Sequence, residues 1–294
     1  MGDDEMNIGH LLDPVRDGSP FYEVFCRDPR FEANRNEFER MWLQFADYAD
    51  HNFVTALPKE FISRYWEMFS ACIMMHMGFP MQRNRIGPDI KTSIDSQTLW
   101  IECTAASNGS GSNKVPEVVY NSGVQTVPDH AITLRFTSRL EDKVRVFQQY
   151  MNTRVVDEND YKLIALNGAE VNFSRYEVEI PRVVKCLLGI GDFTIKLNSS
   201  YGTPVGAGYD ARASINNANG SNVSTSLFSR EDFKDISAVI YSWVWPFEID
   251  NSSMFDIIVH NPNAKKKLQN GSIAAKVEYY VDGGLLKIIK NSAT

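Results

Sequence analysis

The stretch Gly87-Pro88-Asp89-Ile90-Lys91-Thr92-Ser93-Ile94-Asp95-Ser96-Gln97-Thr98-Leu99-Trp100-Ile101-Glu102-Cys103-Thr104 decides how the rest of the 294-residue chain is read. Two β-branched and apolar runs flank the connection Ile94-Asp95-Ser96-Gln97, which spells two short strands and a turn. Strand side chains alternate between faces, so Trp100, Glu102 and Thr104 share one side while Leu99, Ile101, Cys103 and Ala105 share the other. The second set is small or apolar throughout and belongs against a packed layer. Glu102 therefore points away from that layer, and Asp89 at the start of the neighbouring strand can stand beside it. Two adjacent carboxylates repel unless a cation joins them.

Upstream, apolar residues from Phe31 to Tyr48 recur at three- and four-residue spacing and predict a helix over 31–50. A second helix is expected over 58–77, with Gly78 as its C-terminal stop and Glu67 off the centre of its apolar stripe. Met81–Arg85, Asp89–Ser93 and Thr98–Ala106 read as a three-stranded meander, followed by a flexible loop over 106–115. Ala131–Phe136 reads as a strand, Ser138–Met151 as a helix opened by a Ser138/Glu141 capping box, and Tyr161–Leu166 as a strand. Val183–Leu188 is expected to be helical, Ile236–Val244 and Phe255–Val259 to be buried strands, and Asn198–Thr225 to be long loops.

The bulk composition narrows the function classes. Residues 1–20 carry Asp3, Asp4, Glu5, Asp13 and Asp17 without an apolar run, which predicts a mobile acidic tail in place of a signal peptide. No stretch approaches the roughly 20 apolar residues of a spanning helix, so no membrane is expected. Cys26, Cys72, Cys103 and Cys186 lack close paired spacing, which favours buried thiols in a reducing, cytoplasmic setting. The net charge of −7 argues against nonspecific coating of nucleic acid. Local charge differs: between Ala264 and Lys290 six lysines face Glu278 and Asp282. Lys265, Lys266 and Lys267, on a helix expected to be capped by His260-Asn261-Pro262, and Arg139 are the candidate nucleic-acid contacts. There is no Gly-x-Ser-x-Gly and no phosphate-binding Gly-x-x-x-x-Gly-Lys, and the five histidines share no zinc spacing.

Glu67, Asp89 and Glu102 thus form a candidate hard-cation site, and oxygen-held cations are a common means of attacking phosphodiesters. Taken singly, Glu67 reads as a salt-bridged helix glutamate and Asp89 as a turn residue; order and spacing together favour a metal site. The pattern resembles the PD-(D/E)XK nuclease superfamily. More narrowly, Arg64-Tyr65-Trp66-Glu67-Met68, Gly87-Pro88-Asp89, Trp100-Ile101-Glu102 and His260-Asn261-Pro262-Asn263-Ala264 resemble a mostly uncharacterised bacterial group near it. The resemblance implies an α/β protein whose restriction-endonuclease-like core has a central mixed β-sheet flanked by helices. It implies a nucleic-acid partner, DNA in the first place, with Mg²⁺ or Mn²⁺ as cofactor. Asp89 and Glu102 would be the metal ligands and Glu67 a helix carboxylate near them. The expected organisation is an acidic tail (1–20), a helical segment (21–57), the nuclease-like core (58–175) and a C-terminal α+β elaboration (176–294), with a homodimer left open.

The sequence departs from the superfamily pattern at Thr104, where a lysine is usual. A threonine hydroxyl donates one neutral hydrogen bond and cannot replace a cation. Lys143, bordering the Leu140/Phe147 stripe, is the leading substitute; Lys91 on the strand and Lys114 in the loop compete with it. Pro128-Asp129 with Glu141-Asp142-Lys143 fits the written motif better, but residues two apart on a helix point about 200° apart and cannot act from one face. Without a working cation, the expectation becomes an inactive nuclease-like module that binds nucleic acid or a protein.

Overall fold

Helix α4 (Phe61–His76) organises the molecule because its stripe of Phe61, Ile62, Tyr65, Trp66, Phe69 and Ile73 is buried. Each such side chain contributes about 1.5–3 kcal/mol through removal from water. Trp66 is fully buried and its Nε1 donates to the Ala165 carbonyl at 2.8 Å, so the indole pays no penalty for an unpaired N–H. The helix ends where Gly78 takes φ +83°, a left-handed conformation that favours glycine. The computed structural model describes residues 11–13, 15–120, 123–177, 179–248 and 253–291.

The protein is α/β. A mixed seven-stranded sheet runs in the order β1 (Ile90–Ile94), β2 (Gln97–Ser107), β3 (Tyr161–Glu170), β8 (Ala238–Ser242), β9 (Phe255–His260), β10 (Ala275–Asp282) and β11 (Leu285–Lys290). Strands β2, β3 and β8 are mutually parallel, and β1 and β11 pair antiparallel at the two edges. Helices α1 (Pro20–Arg27), α2 (Glu32–Phe45), α3 (Phe53–Ala56) and α4 share one core with Leu99, Ile101, Cys103 and Ala105 of β2. Helices α5 (Asp129–Asn152) and α6 (Arg182–Leu188) share the other with Trp100, Ile164 and Leu166. The alternation expected for β2 is therefore present, with helices on both faces. Of the strands beyond residue 176, β8, β9, β10 and β11 continue the sheet of β2 and β3.

Several expectations are corrected. Met81–Arg85 forms no strand, only a single bridge between Gln82 and Lys91. Ala131–Phe136 is helical: α5 is one continuous helix from Asp129, so Ser138 and Glu141 lie inside it and form no capping box. The long-loop segment contains two small hairpins, built from β4 (Ile190–Leu197) with β5 (Pro204–Ala211) and from β6 (Ser214–Asn216) with β7 (Asn222–Ser224). Lys265–Lys267 lie in irregular chain between β9 and β10, not on a helix. Within the expected acidic tail, Leu11 is buried and the Leu11 and Leu12 amides donate to the Glu39 carboxylate at 3.0 and 2.9 Å; residues 1–10 lie outside the described residues. Among the described residues no helix is long and apolar enough to cross a membrane.

Candidate functional site

The β1–β2 hairpin creates the site by stopping early. Asp95 and Ser96 take φ +49° and +63°, the pair of positive values that a two-residue hairpin of matched twist requires. Pairing then runs from Ile94–Gln97 to Ile90–Ile101 and ends, although β2 continues to Ser107. From Glu102 onward β2 keeps β3 on one side and has no strand on the other. Asp89 occupies the point of divergence, where its Oδ2 accepts from the Cys103 amide at 2.6 Å and satisfies the exposed ladder.

A cleft of about 380 Å³ opens there, lined by Glu60, Arg64 and Glu67 of α4 and its approach, by Asp89, by Cys103–Ala105, and by Arg139, Asp142 and Lys143 of α5. Lys143 Nζ stands 2.7 Å from Glu102 Oε1. The ammonium thus crosses from α5 to the strand face that carries Glu102, over the position where Thr104 cannot supply a charge. Glu102 Oε2 is buried without a hydrogen-bond partner. Glu67 is buried and meets Arg64 at 2.9 Å, and Arg64 also holds Asp50 and Glu60 at 3.3 and 3.1 Å.

Asp89 is the electrostatic link between the other two carboxyls, since its charge raises both Glu67 and Glu102. Burial pushes Glu102 up to about 8, Asp89 repulsion adds to it, and Lys143 opposes both. Burial also raises Asp89, against Lys143, the Cys103 amide and Arg64. Glu67 is raised well above its ordinary value by burial and then by Asp89, with Arg64 opposing. Burial pulls the Lys143 ammonium down, but Glu102 and Asp89 more than offset it and its pKa is raised. Lys143 therefore stays charged while the carboxyls compete for protons.

The other candidates are placed elsewhere. Lys91 Nζ lies over the Trp100 ring at 4.9 Å and is absent from the cleft wall. Lys114 pairs with Glu117 at 2.7 Å. Lys265 pairs with Asp235 at 2.9 Å, and Lys266 Nζ lies 4.9 Å from the Tyr161 ring, at the end of β3 away from the cleft. Arg139 does line the cleft, with a long 3.8 Å contact to Asp142 and a buried Nε that has no hydrogen-bond partner. The alternative motif is dispersed: Asp129 holds Arg182 at 2.6 Å, and Glu141 pairs with Arg230. The Asn261 and Asn263 side chains donate to the carbonyls of Phe233, Ile236 and Phe228, so that motif staples loops.

No protein-family model, curated protein or solved structure matches this chain. Its geometry alone bears on function. Among the described residues no group of three or more His, Cys, Asp or Glu is arranged to hold a metal ion. The oxygen donors nearest to such a role are Asp89 and Glu102, with the unpartnered Oε2 of Glu102 the clearest vacancy in their hydrogen bonding. Sequence reasoning missed Arg64, which neutralises the α4 side, and Glu170, half-buried at the end of β3 and pushed up to about 7 by burial against Arg139. Arg64 had a legible signal, three residues before Glu67 on a helix face.

Proposed function

We propose that the chain is a Mg²⁺- or Mn²⁺-dependent nuclease acting on DNA, with a restriction-endonuclease-like core whose motif lysine has moved from β2 to α5. The observation that carries this reading is Lys143 Nζ at 2.7 Å from Glu102, beside Asp89 in an open cleft at the strand edge. Asp89 and Glu102 would hold the cation, and Mg²⁺ commonly takes only one or two protein carboxylates, with water and phosphate completing its shell. Their chemistry fits: a buried Glu102 with an unpartnered oxygen and a half-buried Asp89 that repels it are what a divalent cation relieves. The bound ion would supply Lewis acidity toward the scissile phosphate and its attacking water.

The chain's own residues divide the remaining work. Lys143 brings a fixed positive charge to the place where negative charge grows on the phosphorus oxygens, an interaction strengthened by its partial burial. The Cys103 amide fixes the Asp89 carboxylate. Glu67 keeps Arg64 against α4, which limits the charge that the helix side presents to the cleft. Arg139, one turn before Lys143, faces a phosphate approaching along the same wall.

A second reading is favoured by Lys143 resting on Glu102 itself, which occupies one oxygen of the proposed ligand: an inactive nuclease-like module that binds nucleic acid or a protein. Incubation of purified protein with DNA and RNA in Mg²⁺ or Mn²⁺, alongside Asp89→Asn and Glu102→Ala, separates the two. Metal-dependent cleavage by the parent chain and its loss in both variants is expected. No cleavage, or equal cleavage by the variants, overturns the nuclease.

A further inference from the structure

A second cleft, of about 410 Å³, adjoins the first and is lined by Trp42, Ala49, Asp50, His51, Val54, Arg83, Asn84 and Arg85. The two are linked through charge: Asp50 of the second cleft meets Arg64 of the first at 3.3 Å. Asp50 is the one carboxylate that lines the second cleft, it is held toward Arg64, and Arg83 and Arg85 stand at the rim. In a chain of net charge −7, both arginines are exposed and have no ion pair or hydrogen bond among the described residues. Their loop is held in place, since Asn84 donates to the Pro88 carbonyl at 3.0 Å and Gly87, at φ +141°, has no room for a Cβ beside Asn84 and Trp100. The same loop leads directly into Asp89.

We propose that this cleft is the subsite for an unpaired nucleotide next to the scissile phosphate, with its phosphate on Arg83 and Arg85 and its base on the floor of Trp42, Ala49 and Val54. The inference rests on the nuclease reading and narrows its substrate to strands that are single-stranded at the cut. A paired base is stacked and cannot enter a concave pocket, whereas an unpaired one can lie against apolar and aromatic surface. Arginine forks bind phosphate oxygens two at a time.

The test is fluorescence anisotropy of a labelled twelve-nucleotide single strand in EDTA, across a salt series, with a blunt duplex of the same sequence as comparison. Arg83→Ala/Arg85→Ala should weaken single-strand binding about tenfold or more and flatten the log affinity against log salt slope by about 0.7, the one single-strand phosphate that the two arginines share. Arg83→Lys/Arg85→Lys should retain the slope. The parent chain should prefer the single strand to the duplex. Unchanged affinity and slope in the double alanine variant, or equal binding of duplex, overturns the subsite. Cleavage in Mn²⁺ is scored separately: binding that follows this pattern without cleavage removes the nuclease and leaves the subsite, and cleavage without the pattern does the reverse.

Discussion

Glu102 and Asp256 are both buried carboxylates that meet a lysine ammonium at 2.7 Å, one on β2 with Lys143 and one on β9 with Lys276. Their second oxygens differ. Ser242 Oγ donates to Asp256 Oδ2, so both oxygens there are hydrogen-bonded. Glu102 Oε2 has no partner, and Asp89 adds like charge to its surroundings. A buried polar atom without a partner costs about 1–3 kcal/mol, which a fold retains more readily where something else binds. One pair completes a sheet, and the other leaves room for chemistry.

The comparison breaks first on cleavage. Glu102→Ala should lower metal-dependent DNA cleavage by on the order of 10³-fold, measured as initial rates, since it removes a proposed metal ligand and the anchor of Lys143. Lys143→Ala should lower it about 10²-fold, the scale of losing one preorganised group that stabilises transition-state charge. Lys276→Ala should leave the cleavage rate within about twofold and lower unfolding stability by about 1–3 kcal/mol in a urea titration, because Asp256 keeps a buried oxygen unpaired. If Lys276→Ala loses as much cleavage as Lys143→Ala, the two pairs are not distinguished by function.

Acidity sharpens the same contrast. The folded Glu102 carboxyl, up near about 8 from an ordinary 4.5, is raised, so its contribution to stability is fully present below about 4.5 and lost as pH rises through about 8. Without metal, the pocket therefore becomes less favourable for folding across that window. A divalent cation competes with the proton, so the melting-temperature gain from Mn²⁺ should be near zero at pH 5.5 and reach a few degrees at pH 8.5. Glu102→Gln should flatten that dependence, and a pH-independent gain would place the ion elsewhere. The smallest effect belongs to Lys91→Ala, which loses a cation–π contact with Trp100 worth about 0.5–1 kcal/mol and should change cleavage less than threefold.

Much of the site was legible because strand alternation is local: it set Glu102 opposite Leu99, Ile101 and Cys103, and the α5 stripe brought Lys143 to that face. The Ala131–Phe136 segment misled because Ile132, Leu134 and Phe136 recur at spacing two, while the burial of Ile132, Phe136, Leu140 and Val144 follows spacing four. Six residues cannot separate those periods. Lys265–Lys267 form a run by composition, yet Asp235 and Tyr161, distant in sequence, occupy Lys265 and Lys266. The adjoining Arg83/Arg85 cleft had no sequence signature, since its floor comes from α2 and the residues after it.

The central claim is that Asp89 and Glu102 jointly hold a divalent cation beside Lys143. A crystal soaked in Mn²⁺ at pH 8 and measured at the manganese edge tests it directly. The predicted result is an anomalous peak at coordination distance from both carboxylates, with Lys143 Nζ still in the cleft. No peak there, or one confined to another carboxylate such as the Glu278–His260 pair, would contradict it.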